Sequence, residues 1–166
     1  MTEIIFTRHG QTEWNVARKM QGQLDSPLTE MGLLQARILG AYLRDKGIAA
    51  IYSSPLQRAE RTATIIQRET GLGSITLAPE LKEINLADLE GKSFSRAAEE
   101  EPKRMEAFSS KPSDFVPGRG GESFEEVQRR SLDFVQTLLT RHKDEKILVV
   151  CHAVVLRLMM ASFEGF

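Results

Sequence analysis

The chain carries one cysteine, one tryptophan and three histidines in 166 residues. A single thiol, Cys151, forms no intramolecular disulfide and supplies no cysteine cluster for zinc. No apolar run approaches the ~20 residues of a membrane span. Met1-Thr2-Glu3 leads straight into a short strand, with no charged and apolar leader, so the expected location is cytoplasmic. Charge of one sign is lacking too: 22 basic residues face 23 acidic ones, for a formal net charge of −1. That balance excludes bulk attraction to nucleic acid or an anionic membrane, while permitting a local basic pocket. With 41% hydrophobic and 27% charged residues, the composition is that of an ordinary globular protein, and the length fits one domain over 1–166. No internal repeat or low-complexity linker interrupts it.

What is present alternates between two periods. An apolar strand spans Glu3 to Arg8, and a turn-rich stretch from Trp14 to Gly32 reads as loop. Thr29 caps a heavily apolar helix that Gly47 stops. Ile48 to Ser54 is a second strand, after which Ser54 as N-cap and Pro55 at the first position open a helix ending near Gly71. "SITLAPELKEI" is a third strand with an irregular exit. The stretch from Glu90 to Gly121 is more polar, with a short helical excursion in "AAEEEPKRMEAFSS" followed by a loop. Ser123 and Glu126 form a capping box for a helix with Phe124, Val127, Phe134 and Leu138 on one face. "KILVVC" is a fourth strand, and "AVVLRLMMASF" after His152 is a buried helix.

Strands alternating with helices imply an α/β fold with a mostly parallel sheet. Ligands of such sheets bind beyond the carboxyl ends of the strands. His9 and His152 follow strands directly, and Arg58 lies in the first turn after the second strand, so three polar groups distant in sequence meet on one rim. Arginine matches phosphate oxygens with a permanent fork of donors. A neutral histidine held in one tautomer is a nucleophile toward phosphorus, and its second ring nitrogen should then donate to a backbone carbonyl. Arg8, Arg58, His152 and the amide of Asn15 would cradle a phosphate without a metal. The leaving alkoxide needs an acid, and Glu80, Glu83 and Glu90 follow the third strand; spacing alone does not choose among them. His142, near a helix C-terminus, reads as structural.

These stretches carry a resemblance. "TRHGQTEWN" resembles the Arg-His-Gly signature of the histidine phosphatase superfamily, also called the phosphoglycerate mutase-like family. "GQLDSPLTEMGLLQA", "YSSPLQRAERTA", "LKEINLADLEG", "GGESFEEVQRR" and "ILVVCHAVVLR" are similar to its later blocks, in order along nearly the whole chain. The resemblance implies a three-layer α/β/α fold and a nucleophile at His9. It assigns the phosphate pocket to Arg8, Arg58 and His152 with Asn15, and the proton donor to Glu83. It places Gln21, Gly22, Gln23 and Thr29 on the substrate side, and residues 90–121 as a cover. It implies no metal and no cofactor, and a small phosphorylated metabolite as partner.

Departures from the family pattern carry expectations of their own. Ala87 stands where relatives often have glycine, which predicts an altered loop, and Ala153 and Val154 bring bulk beside His152. The chain stops at Phe166, where relatives usually continue, which implies a short C-terminus or a face covered by a homo-oligomer. The leading function is a metal-independent phosphomonoester phosphatase. The alternatives are mutase-type phosphoryl transfer and a non-catalytic phospho-ligand domain. The glycolytic mutases carry a longer Glu-Arg-His-Tyr-Gly signature around the acid; this chain has "EINLADLEG". Phe94, Met105, Phe108 and Phe115 would form an apolar wall in the cover, and Lys103, Arg104 and Lys111 would meet an anion.

Overall fold

Residues 146–151, "KILVVC", are apolar at almost every position, which suits a strand covered on both faces. In the computed structural model, which describes residues 1–164, Ile147 through Cys151 have no exposure. The expectation attached to the end of the chain at Phe166 lies outside the described residues. This strand, β4 (Lys146–Cys151), is flanked by β1 (Glu3–Arg8) and β2 (Ile48–Ser53), with β3 (Ile75–Leu77) beyond β2. Every pairing is parallel, and Arg8 stands beside Cys151 in the register.

Side chains of β4 alternate between two cores, as the period of two requires. Ile147, Val149 and Cys151 join Val127 and Leu138 of α6 (Phe124–Arg141) and Val155 and Met159 of α7 (Ala153–Glu164). Leu148 and Val150 face Leu43 of α2 (Glu30–Leu43) and Ala59, Ala63 and Ile66 of α3 (Gln57–Thr70). The fold is therefore the three-layer α/β/α arrangement, with an all-parallel sheet among the described residues. None of the described helices is long and apolar enough to cross a membrane.

Several boundaries differ from the sequence reading, each for a local reason. The stretch taken as loop after Trp14 holds α1 (Glu13–Val16), a single turn closed by a capping box between Thr12 and Asn15. Helix α2 stops at Leu43, ahead of Gly47, although Gly47 does take the left-handed conformation at φ +70°. β3 ends after three residues because Pro79 opens a tight turn and has no N–H for the ladder. The helical excursion is two helices, α4 (Phe94–Glu100) and α5 (Pro102–Ser110), broken at Pro102. The capping box at Ser123 and Glu126 forms with both reciprocal bonds present.

The largest difference is at α3. It opens at Gln57, and Ser54 is not its cap. The carboxylate of Asp25 instead accepts from the backbone N–H groups of Gln57 at 2.9 Å and Arg58 at 3.3 Å. A cap from a distant loop both satisfies the helix start and brings that loop over the end of the sheet.

Candidate active site

His9 follows β1 directly, and its N–H still donates to the Cys151 carbonyl at 3.0 Å, extending the ladder by one residue. Gly10 then turns the chain against α2. A Cβ at Gly10 would stand 2.5 Å from the Gly32 carbonyl oxygen, so only glycine fits this crossing. The His9 ring is buried, and its Nδ1 lies 2.7 Å from the Gly10 carbonyl oxygen. A carbonyl only accepts, so Nδ1 carries the proton and Nε2 presents a lone pair. Burial, followed by the nearby Arg58 and Arg8 charges, lowers the His9 pKa to about 3, against the raising effects of Gly10 and Asp25. The ring is neutral at pH 7.

Arg58 is 2% exposed. Its Nη1 donates to the Leu24 carbonyl and to Asp25 Oδ1, both at 2.7 Å, and its Nη2 donates to the Gly22 carbonyl at 2.6 Å. Its Nε is buried without a partner among the described residues. The fork is thus held rigidly by the loop it anchors. Arg8 is exposed; burial of its inner part lowers its pKa, Glu83 raises it, and Arg157 and Arg58 lower it further.

His152 has no exposure, and its ring centroid lies 5.2 Å from that of His9. Its Nε2 is 2.7 Å from Ser54 Oγ. That hydroxyl also accepts from the Leu56 N–H at 3.3 Å, and among the described residues its own proton has no acceptor other than His152 Nε2, to which it donates. The remaining proton of His152 therefore sits on Nδ1, a buried donor with no partner among the described residues. An unmet buried donor costs stability unless a ligand accepts from it. Burial and then the Arg58 charge push the His152 pKa well down, so it too is neutral.

Glu83 is buried, and its two oxygens accept from the backbone N–H groups of Ile84 at 3.0 Å and Val154 at 3.2 Å. Burial raises its pKa, outweighing these two bonds and the Arg58 charge. The other two glutamates lie elsewhere: Glu80 is exposed, and Glu90 accepts from the N–H groups of Gln23 and Leu86 at 2.8 and 3.0 Å. Arg130 fixes the Glu83 peptide by donating to its carbonyl at 3.3 Å while paired with Glu122 at 2.8 Å.

A cavity of about 380 Å³ opens over these groups, bordered by Arg8, His9, Arg58, Glu83, Ala153 and Val154. Asn15, Gln21 and Gly22 line it as well. His152, packed behind the His9 ring, does not, and neither do Gln23 and Thr29. The Gln23 side chain donates to the Glu83 carbonyl at 3.2 Å, and the Thr29 hydroxyl caps α2 at Gly32 and donates to Gln11 at 2.9 Å. The Asn15 carbonyl oxygen is engaged by the Thr12 N–H at 3.0 Å, which leaves its amide N–H₂ to face the cavity. From the cover come Phe94, Phe108 and Ser109; Met105 and Phe115 are core residues instead. Among the described residues no group of three or more His, Cys, Asp or Glu is placed to hold a metal.

Four residues of the site escape sequence reasoning. Asp25 and Ser54 act through partners far away in the chain, and nothing local signals either. Lys19 and Arg157 line the mouth. Arg157 had a legible signal: positions 153, 154 and 157 share one face of a helix.

A family model described as "Histidine phosphatase superfamily (branch 1)" matches residues 4–166. The "Metal-independent phosphoserine phosphatase" of Arabidopsis thaliana is 39% identical over 99% of this chain and 72% of its own length. A "Probable phosphoglycerate mutase" of Yersinia pestis is 37% identical over 99% of this chain and 76% of its own. The solved structure of Bacillus stearothermophilus YhfR superposes with a TM-score of 0.95 at 42% identity, covering 99% of this chain and 81% of that one. A shared sheet, a shared order of motifs and a match along nearly the full length have one meaning: this chain belongs to the histidine phosphatase superfamily.

Proposed function

We propose that the chain is a phosphatase that hydrolyses small phosphomonoesters through a phosphoenzyme on His9. The observation that carries this reading is the hydrogen bond from His9 Nδ1 to the Gly10 carbonyl at 2.7 Å in a ring kept neutral by burial. It leaves Nε2 as a nucleophile of fixed direction.

Arg8 and Arg58, which line the cavity, balance the charge of the phosphoryl oxygens, and His152, buried beside the His9 ring with its Nδ1–H unmet, is a further donor for an oxygen that reaches behind His9. As the Nε2–phosphorus bond forms and the ester bond breaks, the leaving alkoxide takes the proton of Glu83, whose raised pKa favours the acid form. The ring then carries a positive charge, which the Gly10 carbonyl stabilises at Nδ1. In the second step the Glu83 carboxylate removes a proton from water. The water oxygen bonds to phosphorus, the nitrogen–phosphorus bond breaks, and His9 returns to its neutral tautomer. The phosphatase name of the Arabidopsis relative supports hydrolysis. The mutase name of the Yersinia relative marks the competing outcome, in which a second hydroxyl takes the place of water.

The test is a panel of phosphomonoesters with His9→Ala as control, together with chemical quench after mixing. Phosphate release that the variant abolishes, with an acid-labile phosphoenzyme in the parent, is the expected result. Unchanged turnover in the variant would falsify the mechanism. Interconversion of 2- and 3-phosphoglycerate with a bisphosphate primer, faster than phosphate release, would make the enzyme a mutase.

A further inference from the structure

Glu90 does not line the cavity and has no part in the chemistry proposed above. Its place is nonetheless specific. A single oxygen, Oε1, accepts from two backbone N–H groups, that of Gln23 at 2.8 Å and that of Leu86 at 3.0 Å. The two donors belong to different loops over the end of the sheet. One loop holds Arg58, and the other leads out from Glu83. Gly22 makes the room for this seat: its φ is +51°, and a Cβ there would collide with the Glu90 carboxylate.

We propose that Glu90 is a positioning residue that holds the fork of Arg58 and the loop of Glu83 in register with one another. The inference rests on the phosphatase reading and assigns a further residue to its site.

The link to Arg58 runs through one amide. The Gln23 N–H and the Gly22 carbonyl belong to the same peptide plane. Glu90 accepts from the N–H, and the carbonyl accepts from Arg58 Nη2 at 2.6 Å. The amide thus lies between a carboxylate and a guanidinium, with its dipole aligned to both, and hydrogen bonds in such a chain strengthen one another. Leu24 and Asp25 hold Nη1, whereas Nη2 has this amide as its one partner among the described residues. The link to Glu83 has the same form. The Leu86 N–H shares a peptide plane with the Asn85 carbonyl, which accepts from the Glu122 N–H at 2.9 Å. The loop from Glu83 to Leu86 is thereby tied at its far end, while Ile84 and Val154 hold the Glu83 carboxyl itself. The neighbouring backbone is joined independently of the side chain: Met20 pairs with Gly91 at 2.8 Å and Lys92 at 2.9 Å. Removing the carboxylate therefore costs alignment and leaves the loops in contact. A misplacement of about 1 Å at a reacting group costs on the order of 10²-fold in rate.

Inorganic phosphate, titrated calorimetrically, reports the Arg58 fork without any turnover. Glu90→Ala should weaken its binding about tenfold, the order of one charge-assisted hydrogen bond. The same variant should lower kcat on alkyl phosphates more than on p-nitrophenyl phosphate, whose leaving group needs no proton from Glu83. Glu90→Gln keeps an oxygen for both N–H groups and should stay within about threefold of the parent in both readings. Glu90→Asp keeps the charge on a side chain too short to reach both loops. It should resemble Glu90→Ala, and it takes that variant's place if the alanine protein does not fold. A residue with a merely structural role would lower Tm while the folded protein kept the parent's phosphate affinity and its ratio between ester classes. That outcome, or a glutamine variant as impaired as the alanine one, overturns the proposal. A parent that binds phosphate but turns over no ester sinks hydrolysis, and the phosphate affinities of the variants still decide the role of Glu90.

Discussion

His152 and Ser54, 98 residues apart in sequence, share a hydrogen bond of 2.7 Å in which neither residue has any exposure. The Ser54 proton has no other acceptor among the described residues, and its donation to Nε2 leaves the His152 proton on Nδ1. Ser54 is in this sense a positioning residue for the proposed phosphate pocket. Ser54→Ala frees the tautomer and leaves Nε2 unmet. Losing one such bond costs on the order of 1 to 2 kcal/mol, so kcat/KM should fall about tenfold. Nitrogen NMR of His152 should change from a single Nδ1–H tautomer to a mixture. A single unchanged tautomer in the variant would remove Ser54 from this role.

Glu83→Gln keeps the shape but removes the acid. Positioned acid–base groups contribute on the order of 10² to 10⁴ in rate, so turnover of alkyl phosphates should fall by that range. p-Nitrophenyl phosphate, whose leaving group needs no proton, should lose far less. The pH profile carries the same information. Burial raises the Glu83 pKa in the folded state, so the acid form is present below that value and lost as pH rises through it. The parent should show an alkaline fall in kcat/KM, and the variant should lack it. Equal losses for both ester classes would rule out a proton donor here.

His9 links stability to pH. Unfolded histidine titrates near 6.5, whereas burial holds folded His9 at about 3. Between these values the unfolded chain binds a proton that the folded chain does not, so stability falls as pH falls through the window. At pH 5 this residue alone costs about 2 kcal/mol. Glu83, with its raised pKa, acts in the opposite sense, so the comparison must be between proteins at one pH. His9→Gln should lose about 2 kcal/mol less than the parent between pH 7.5 and pH 5 in denaturant melts. Parallel losses would mean that His9 is already charged in the folded protein.

Asp25 holds Arg58 at 2.7 Å and caps α3, so Asp25→Asn removes the partner of a buried cation. Breaking a buried pair costs about 3 to 5 kcal/mol, and the partial exposure of Asp25 places this variant at the lower end. Inorganic phosphate should restore more of the lost Tm in the variant than it adds to the parent, because the anion replaces the missing charge at Arg58.

Ala87 adopts φ +50°, in the left-handed region where a Cβ is strained by roughly 1 to 2 kcal/mol. The altered loop expected at this position is thus a backbone that keeps a glycine-like conformation without a glycine. Ala87→Gly relieves the strain but adds freedom to the unfolded chain, about 0.4 to 1 kcal/mol. The net gain should be on the order of 0.5 to 1 kcal/mol, or a Tm rise of about 1 to 4 °C for a chain of this size. A lower Tm would show that the strain is absent.

The alternation of strands and helices, the buried character of β4 and the capping box at Ser123 are legible in the sequence. They arise from periodicity and turn chemistry that act within a few residues. The same local signals mislead at Ser54-Pro55, which has the composition of a helix start but gives its hydroxyl to His152. They are silent on Glu80, Glu83 and Glu90, where the family resemblance alone points to Glu83. They also place Thr29 correctly as a cap while the resemblance sets it on the substrate side, away from the cavity it does not line.

By itself the sequence determined the parallel α/β frame and the arrival of His9, Arg58 and His152 at one end of the sheet. Strand direction and short connections leave no other place for them. Only the tertiary structure decided which groups are neutral, which donors are left unmet, and that Lys19 and Arg157 share a mouth with Arg8. Those properties depend on which side chains lose water together, and desolvation is a property of the packed molecule, not of neighbours in the chain.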